Sequence, residues 1–200
     1  MTELSLPRSG SLPLRLVRLY IGLAGYGAGI ALLVRSNLGL DPWEVFHQGL
    51  SIQTGWSMGM CINLVGALVL LLWIPLRQRP GLGTISNVLL VGTCADAVMW
   101  LVPAPSQWPV QWAFLIGGIV TIAASSGLYI NAGFGPGPRD GLMTGLHRLG
   151  LSIRLARTIV ELTVLAAGWL LGGTAGIGTI VFALTIGPLT QIFMRMGRTG

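Results

Sequence analysis

Lysine is absent from this 200-residue chain, and all twelve basic residues are arginine. Charge of either sign is scarce, at 9% of residues, and only six side chains are acidic. A soluble domain carries roughly 25% charge, so this chain cannot cover a water-facing surface, and a soluble globular fold is excluded. Cysteine is limited to Cys61 and Cys94, both inside apolar runs. They offer neither a metal spacing nor a disulfide framework and read as packing thiols. No Gly-x-Ser-x-Gly elbow, His-Glu-x-x-His helix or Lys-bearing phosphate loop occurs. His47 and His147 have no metal partner at useful spacing. We therefore expect no enzyme, no cofactor and no metal site. The net charge of +6 comes from arginines scattered between apolar runs, which makes a nucleic-acid partner unexpected.

What is there is hydrophobic: 52% of residues, with a mean hydropathy of +0.75. A membrane helix needs about 20 largely apolar residues, and six segments qualify: 14–35, 57–76, 83–102, 110–131, 153–172 and 175–195. The polar leader with Arg8, Arg15 and Arg18 is followed by no small-x-small cleavage site, so the first segment is expected to stay as an uncleaved span. Basic loops remain cytoplasmic. With the N-terminus inside, the leader, Arg77, Arg79, Arg139, Arg148, Arg154, Arg157, Arg195 and Arg198 all fall inside, and Arg35 alone falls outside. Both termini are then cytoplasmic.

The two halves of the chain repeat each other. At an offset of 96, Gly39 falls on Gly135, Pro42 on Pro138, Glu44 on Asp140 and Gly49 on Gly145. After a slip to 95, Ser57 meets Ser152, Gly-Leu-Gly-Thr-Ile at 81–85 meets Gly-Ile-Gly-Thr-Ile at 176–180, and Gly92 meets Gly187. Matches of Gly, Pro, Ser, Thr and acid in order mark a duplication rather than shared apolarity. Three spans per half would put the second copy upside down, the inverted design of many secondary transporters. The expected fold is one all-α membrane domain over 1–200, with six transmembrane helices as two inverted three-helix repeats, 14–103 and 109–196.

Each copy breaks its apolar pattern after the first span. Asp41 caps, Pro42 starts and Glu44 stands third in one helix; Gly137, Pro138 and Asp140 hold the same places in the other. Each helix runs about 12 residues to Gly55 or Gly150, roughly 18 Å, too short to cross a bilayer core of about 30 Å. They are re-entrant half-helices lining a pathway, or interfacial helices that Arg139 and Asp140 anchor. Asp96 lies deep in an apolar segment, where an acid is costly and points to function or to a structural donor partner. Glu161 stands four residues after Arg157, on the same helix face. Thr84 and Thr179 follow Gly-x-Gly at matching helix starts. The candidate solute pathway therefore comprises Asp41, Glu44, Asp96, Arg139, Asp140, Thr84 and Thr179, with Pro42 and Pro138 starting the half-helices.

Through SNLGLDPW (36–43), GPGPRDGLMTGL (135–146) and GGTAGIGT (172–179), the chain resembles the YczE/YyaS/YitT group of bacterial integral membrane proteins, most of all its YczE branch. That resemblance implies a multi-pass protein of the bacterial cytoplasmic membrane. It carries no substrate or site residue, and the connection of some members with secondary-metabolite production leaves transport and regulation both open. The expected function is a transporter or permease for an unidentified small solute, embedded in the lipid bilayer, with a homodimer formed through Gly-rich faces. The alternative is a membrane scaffold or regulator that holds a partner through its inner arginines.

Overall fold

Helix starts and stops follow directly from residue chemistry. The computed structural model describes residues 11–197, and among these the chain forms helices and no strands. Arg8 and Arg198 of the arginine pattern lie outside the described residues. The helices are α1 (Leu12–Ser36), α2 (Pro42–Thr54), α3 (Met58–Trp73), α4 (Leu82–Leu101), α5 (Trp108–Asn131), α6 (Pro138–Arg148), α7 (Ile153–Leu170) and α8 (Ile177–Met196). Asp41 caps α2 by accepting from the Trp43 and Glu44 amides at 2.9 and 3.2 Å. Ser57 and Ser152 cap α3 and α7 in the same way. Gly55, at φ +74°, ends α2 in the left-handed conformation that glycine adopts without strain.

Four helices, α1, α4, α5 and α8, are long and apolar enough to cross a membrane, and α2 with α3, bent by 115°, makes a fifth candidate. Two of the six expected segments fall short for different reasons. α3 has only 16 residues, about 24 Å at 1.5 Å per residue. α7 carries Arg154, Arg157 and Glu161 within its 18 residues. Both short helices, α2 and α6, are present where the broken stretches placed them.

α1 and α5 form the central pair. A Cβ on Gly29 would stand 3.0 Å from the Gly118 carbonyl oxygen, and one on Gly118 would stand 2.9 Å from that of Gly29. Small residues are therefore required for the two backbones to approach this closely. Leu19, Leu23, Ile30 and Leu33 of α1 and Leu115, Ile119 and Ile122 of α5 are buried along this seam. Leu64, Leu68, Leu71, Leu162 and Leu170 face outward, the arrangement a bilayer rewards and water does not.

The remaining packing comes in matched pairs. α1 packs on α4 and α5 on α8; α2 packs on α7 and α6 on α3. The Gly83 amide donates to the Phe134 carbonyl at 2.8 Å, and the Gly178 amide donates to the Leu38 carbonyl at 2.7 Å. Each broken stretch is thus pinned to the start of the last helix of the other half. One pair breaks the correspondence. α3 packs along α4, whereas α7 and α8 stand apart with a cavity between them.

Candidate functional site

The first turns of α2 and α6 come together at the centre of the molecule, and their side chains form one charged cluster. Arg139 reaches from α6 with one guanidinium nitrogen 3.7 Å from Asp41 Oδ1 and another 2.5 Å from Glu44 Oε1. Its guanidinium also lies over the Trp43 ring, 5.1 Å from the centroid. Three weak points are thus satisfied by one planar, permanently charged group. The other oxygen of Glu44 lies 2.9 Å from His47 Nδ1. A carboxylate only accepts, so Nδ1 carries the proton, and in the neutral imidazole Nε2 presents a lone pair. Asp41, Glu44 and His47 are 4%, 0% and 1% exposed, so these charges are removed from solvent and depend on one another. Asp140 accepts from the Tyr129 hydroxyl at 3.3 Å, and Tyr129 meets Tyr26 edge to face. Trp73 holds α6 in place, its indole donating to the Pro138 carbonyl at 3.1 Å while its ring lies where a Cβ on Gly141 would go.

Two cavities flank this cluster and share a wall of Tyr26, Trp43, Tyr129, Arg139 and Asp140. The narrow one, about 70 Å³, is lined by Ile62 and Gly66 of α3, Asn87, Val88 and Val91 of α4, and His47. The wide one, about 590 Å³, is lined by Arg157 and Glu161 of α7, Phe182, Ala183 and Ile186 of α8, and Met143. These are corresponding positions of the duplication: each α3 or α4 residue is matched at 95, and His47 is matched with Met143 at 96. Residues at matching sequence offsets thus line both spaces, which differ in size, about 70 Å³ against about 590 Å³.

Beyond the narrow cavity, α3 and α4 are zipped together. Asp96 accepts from Ser57 Oγ at 2.5 Å and from the Gly59 amide at 2.7 Å. Asn63 donates to Thr93 at 3.1 Å and accepts from the Gly92 amide at 3.0 Å. The corresponding residues in the other half are Thr158 for Asn63, Pro188 for Thr93 and Gln191 for Asp96. Gln191 lines the wide cavity instead of a seam.

The chain matches the model of a family described as "Family of unknown function (DUF6198)" over residues 13–195. The chain belongs to the DUF6198 family. It is similar to an "Uncharacterized protein" of Haemophilus influenzae, 37% identical over 179 residues that cover 89% of this chain and 82% of the relative. It is 33% identical to the "Uncharacterized membrane protein YczE" of Bacillus subtilis over 183 residues, 90% of this chain and 85% of that protein. The "Uncharacterized protein YyaS" of the same organism is 27% identical over 179 residues, covering 87% and 89%. No solved structure matches. The resemblance to the YczE group is thereby a family relationship, and this DUF6198 chain is a membrane protein with several apolar helices.

Of the residues singled out from sequence, Asp41, Glu44, Arg139 and Asp140 come together, with Pro42 and Pro138 at the first position of their helices. Asp96 does not join them and lines neither cavity; it bonds a hydroxyl and a backbone donor in the α3–α4 seam. Thr84 and Thr179 also line neither cavity. Thr84 donates to the Pro136 carbonyl at 2.8 Å, and each threonine hydroxyl accepts from the glycine amide three residues before it. Arg157 and Glu161 pair at 2.8 Å, as their spacing suggests, and face the wide cavity. Sequence reasoning passed over His47, Tyr26, Tyr129 and Trp43. For His47 a signal existed, since it stands one helical turn after Glu44 on the same face. The tyrosines carry no local signal, because their neighbours come from distant segments.

Proposed function

We propose that this protein is a carrier for a small solute, built from two inverted halves of three spans each. The observation that supports this best is the pair of corresponding cavities on either side of one charged centre, narrow in one half and wide in the other. Inverted repeats in unlike conformations are what alternating access requires, because exchanging the two conformations moves the opening to the other side of the membrane. α3 and α7 act as spans completed by the half-helices α2 and α6. Two of the three charges of α7 that weaken it as a lipid-facing span, Arg157 and Glu161, face the wide cavity instead, where polar groups are tolerated. With the positive-inside orientation, the wide cavity opens to the cytoplasm and the zipped α3–α4 seam closes the outer side, in a bacterial cytoplasmic membrane with both termini inside. A scaffold has no use for a buried cluster between two cavities.

The test uses Val91 and Ile186, which correspond in the two halves and line the narrow and wide cavities. Single cysteines at these positions, with Cys61 and Cys94 replaced by alanine, are exposed to a membrane-impermeant thiol reagent in vesicles of either orientation. Ile186→Cys should label from the cytoplasmic face. Val91→Cys should label only from the outside, at least about tenfold more slowly, since roughly 1.4 kcal/mol of closure is a factor of ten. Labelling of both from the same face would overturn the inverted arrangement, and equal fast labelling of both would overturn the gate.

A further inference from the structure

We propose that the narrow cavity binds the ammonium head of a small primary amine, and that protonated amines are the solute class of this carrier. The proposal rests on the carrier reading for its transport half only; the binding site stands on its own geometry.

Charge balance comes first. Arg139 is engaged by Asp41 and Glu44, and Arg157 by Glu161. Asp140 lines both cavities, yet among the described residues it belongs to no ion pair and accepts from a neutral tyrosine hydroxyl, that of Tyr129. The charged wall of the narrow cavity is Asp140 and Arg139, and the Arg139 charge is already held by Asp41 and Glu44. A cation entering it therefore meets an acid with no ion pair among the described residues, and an anion meets that same acid.

An independent observation points to the same ligand. His47 is 1% exposed and lines the narrow cavity, and its Nε2 has no hydrogen-bond partner among the described residues. With Nδ1 committed to Glu44, Nε2 of the neutral ring is an acceptor that lacks a donor. A buried polar atom left in that state is costly, and a ligand N–H satisfies it.

These features separate the cation classes. A quaternary ammonium brings charge without an N–H, so Nε2 stays unsatisfied. A metal ion needs several ligands, and among the described residues no three His, Cys, Asp or Glu side chains come together to hold one. The cavity of about 70 Å³ compares with about 30 Å³ for each water in the liquid, so an ammonium head and one or two carbons fit.

The experiment is thermal unfolding of the full-length protein in detergent, with ethylammonium chloride, tetramethylammonium chloride or sodium acetate at matched ionic strength. Ethylammonium should raise Tm, as a ligand that binds only the folded state must. Tetramethylammonium and acetate should not. This comparison needs no variant. Asp140→Asn and His47→Gln, each first shown to unfold cooperatively, should weaken ethylammonium binding at least tenfold. An equal shift with tetramethylammonium, or undiminished binding by folded Asp140→Asn, overturns the site. Absence of any amine effect while the Val91 and Ile186 cysteines behave as described overturns the site and leaves the carrier. Ethylammonium that binds but never crosses proteoliposomes overturns amines as the transported solute and leaves the site.

Discussion

Arg139→Ala should lower the unfolding free energy of the protein by about 3–5 kcal/mol, the cost of leaving a buried charge without its partner. Asp41 and Glu44 are almost wholly buried and share this one guanidinium, whose side chain is itself only 26% exposed. A typical domain has only about 5–15 kcal/mol in total, so assembly should suffer visibly. Arg139→Lys keeps the charge but loses the fork that spans both acids and the flat face that lies over Trp43. It should recover roughly half of the loss, restoring folding better than transport. Adding Glu44→Gln to Arg139→Ala removes one stranded charge, so the double variant should be more stable than the sum of the singles predicts, by about 1–3 kcal/mol. Denaturant or thermal unfolding in detergent reads all three. If α6 were only a headgroup anchor, Arg139→Ala would cost less than about 0.5 kcal/mol, and that result would remove the cluster from any account of the protein.

Gly92→Ala should open the α3–α4 seam. A Cβ there would lie 2.1 Å from the Gly59 carbonyl oxygen and 2.3 Å from Asn63 Oδ1. The first is backbone and cannot turn away, so the helices must part. Overpacking of this kind costs about 1–3 kcal/mol, all of it charged to the seam-closed state. Labelling of Val91→Cys from the outer face should therefore rise by roughly tenfold or more. Gly187 matches it at an offset of 95, but among the described residues nothing lies within 4 Å of its Cβ position. Gly187→Ala should leave the present conformation undisturbed and hinder closure of α7 on α8, so Val91→Cys labelling should fall. The two substitutions are the same change at corresponding positions with opposite expected signs. Matching signs, or no change in either, would show that the two halves do not exchange conformations.

Much of the scaffold was legible along the chain because its signals are local. Asp41-Pro42 and Gly137-Pro138 start helices through capping and a preset backbone angle, and both helices begin there. The arginine pairing of α7 followed from i, i+4 spacing and is found. Span counting was less direct. Length and apolarity recognise α1, α4, α5 and α8, but α3 is short, and α7 is charged and turns Arg157 and Glu161 to a cavity. A hydropathy profile integrates composition and has no access to which face of a helix meets lipid. Asp96 shows the same limit. Its depth was visible, whereas its partners, Ser57 and the Gly59 amide, lie 39 and 37 residues away and are neighbours only through packing.

The amino-acid sequence by itself determined that this is a helical membrane protein and that short helices start at Asp41-Pro42 and Gly137-Pro138. Those properties depend on composition and on spacing within a few residues. Tertiary structure decided what the short helices meet. Arg139 and Glu44 are 95 residues apart, and only the docking of each broken stretch on the opposite half brings them within 2.5 Å. Tyr26 and Tyr129 joined the centre in the same way, through segments that meet only when α1 packs on α5 and α6 lies beside them. The inequality of the two cavities was also settled there. Asp96 against Gln191 and Asn63 against Thr158 are modest differences on paper. They become a closed seam and an open one because hydrogen bonds across a helix pair form only where two backbones can touch.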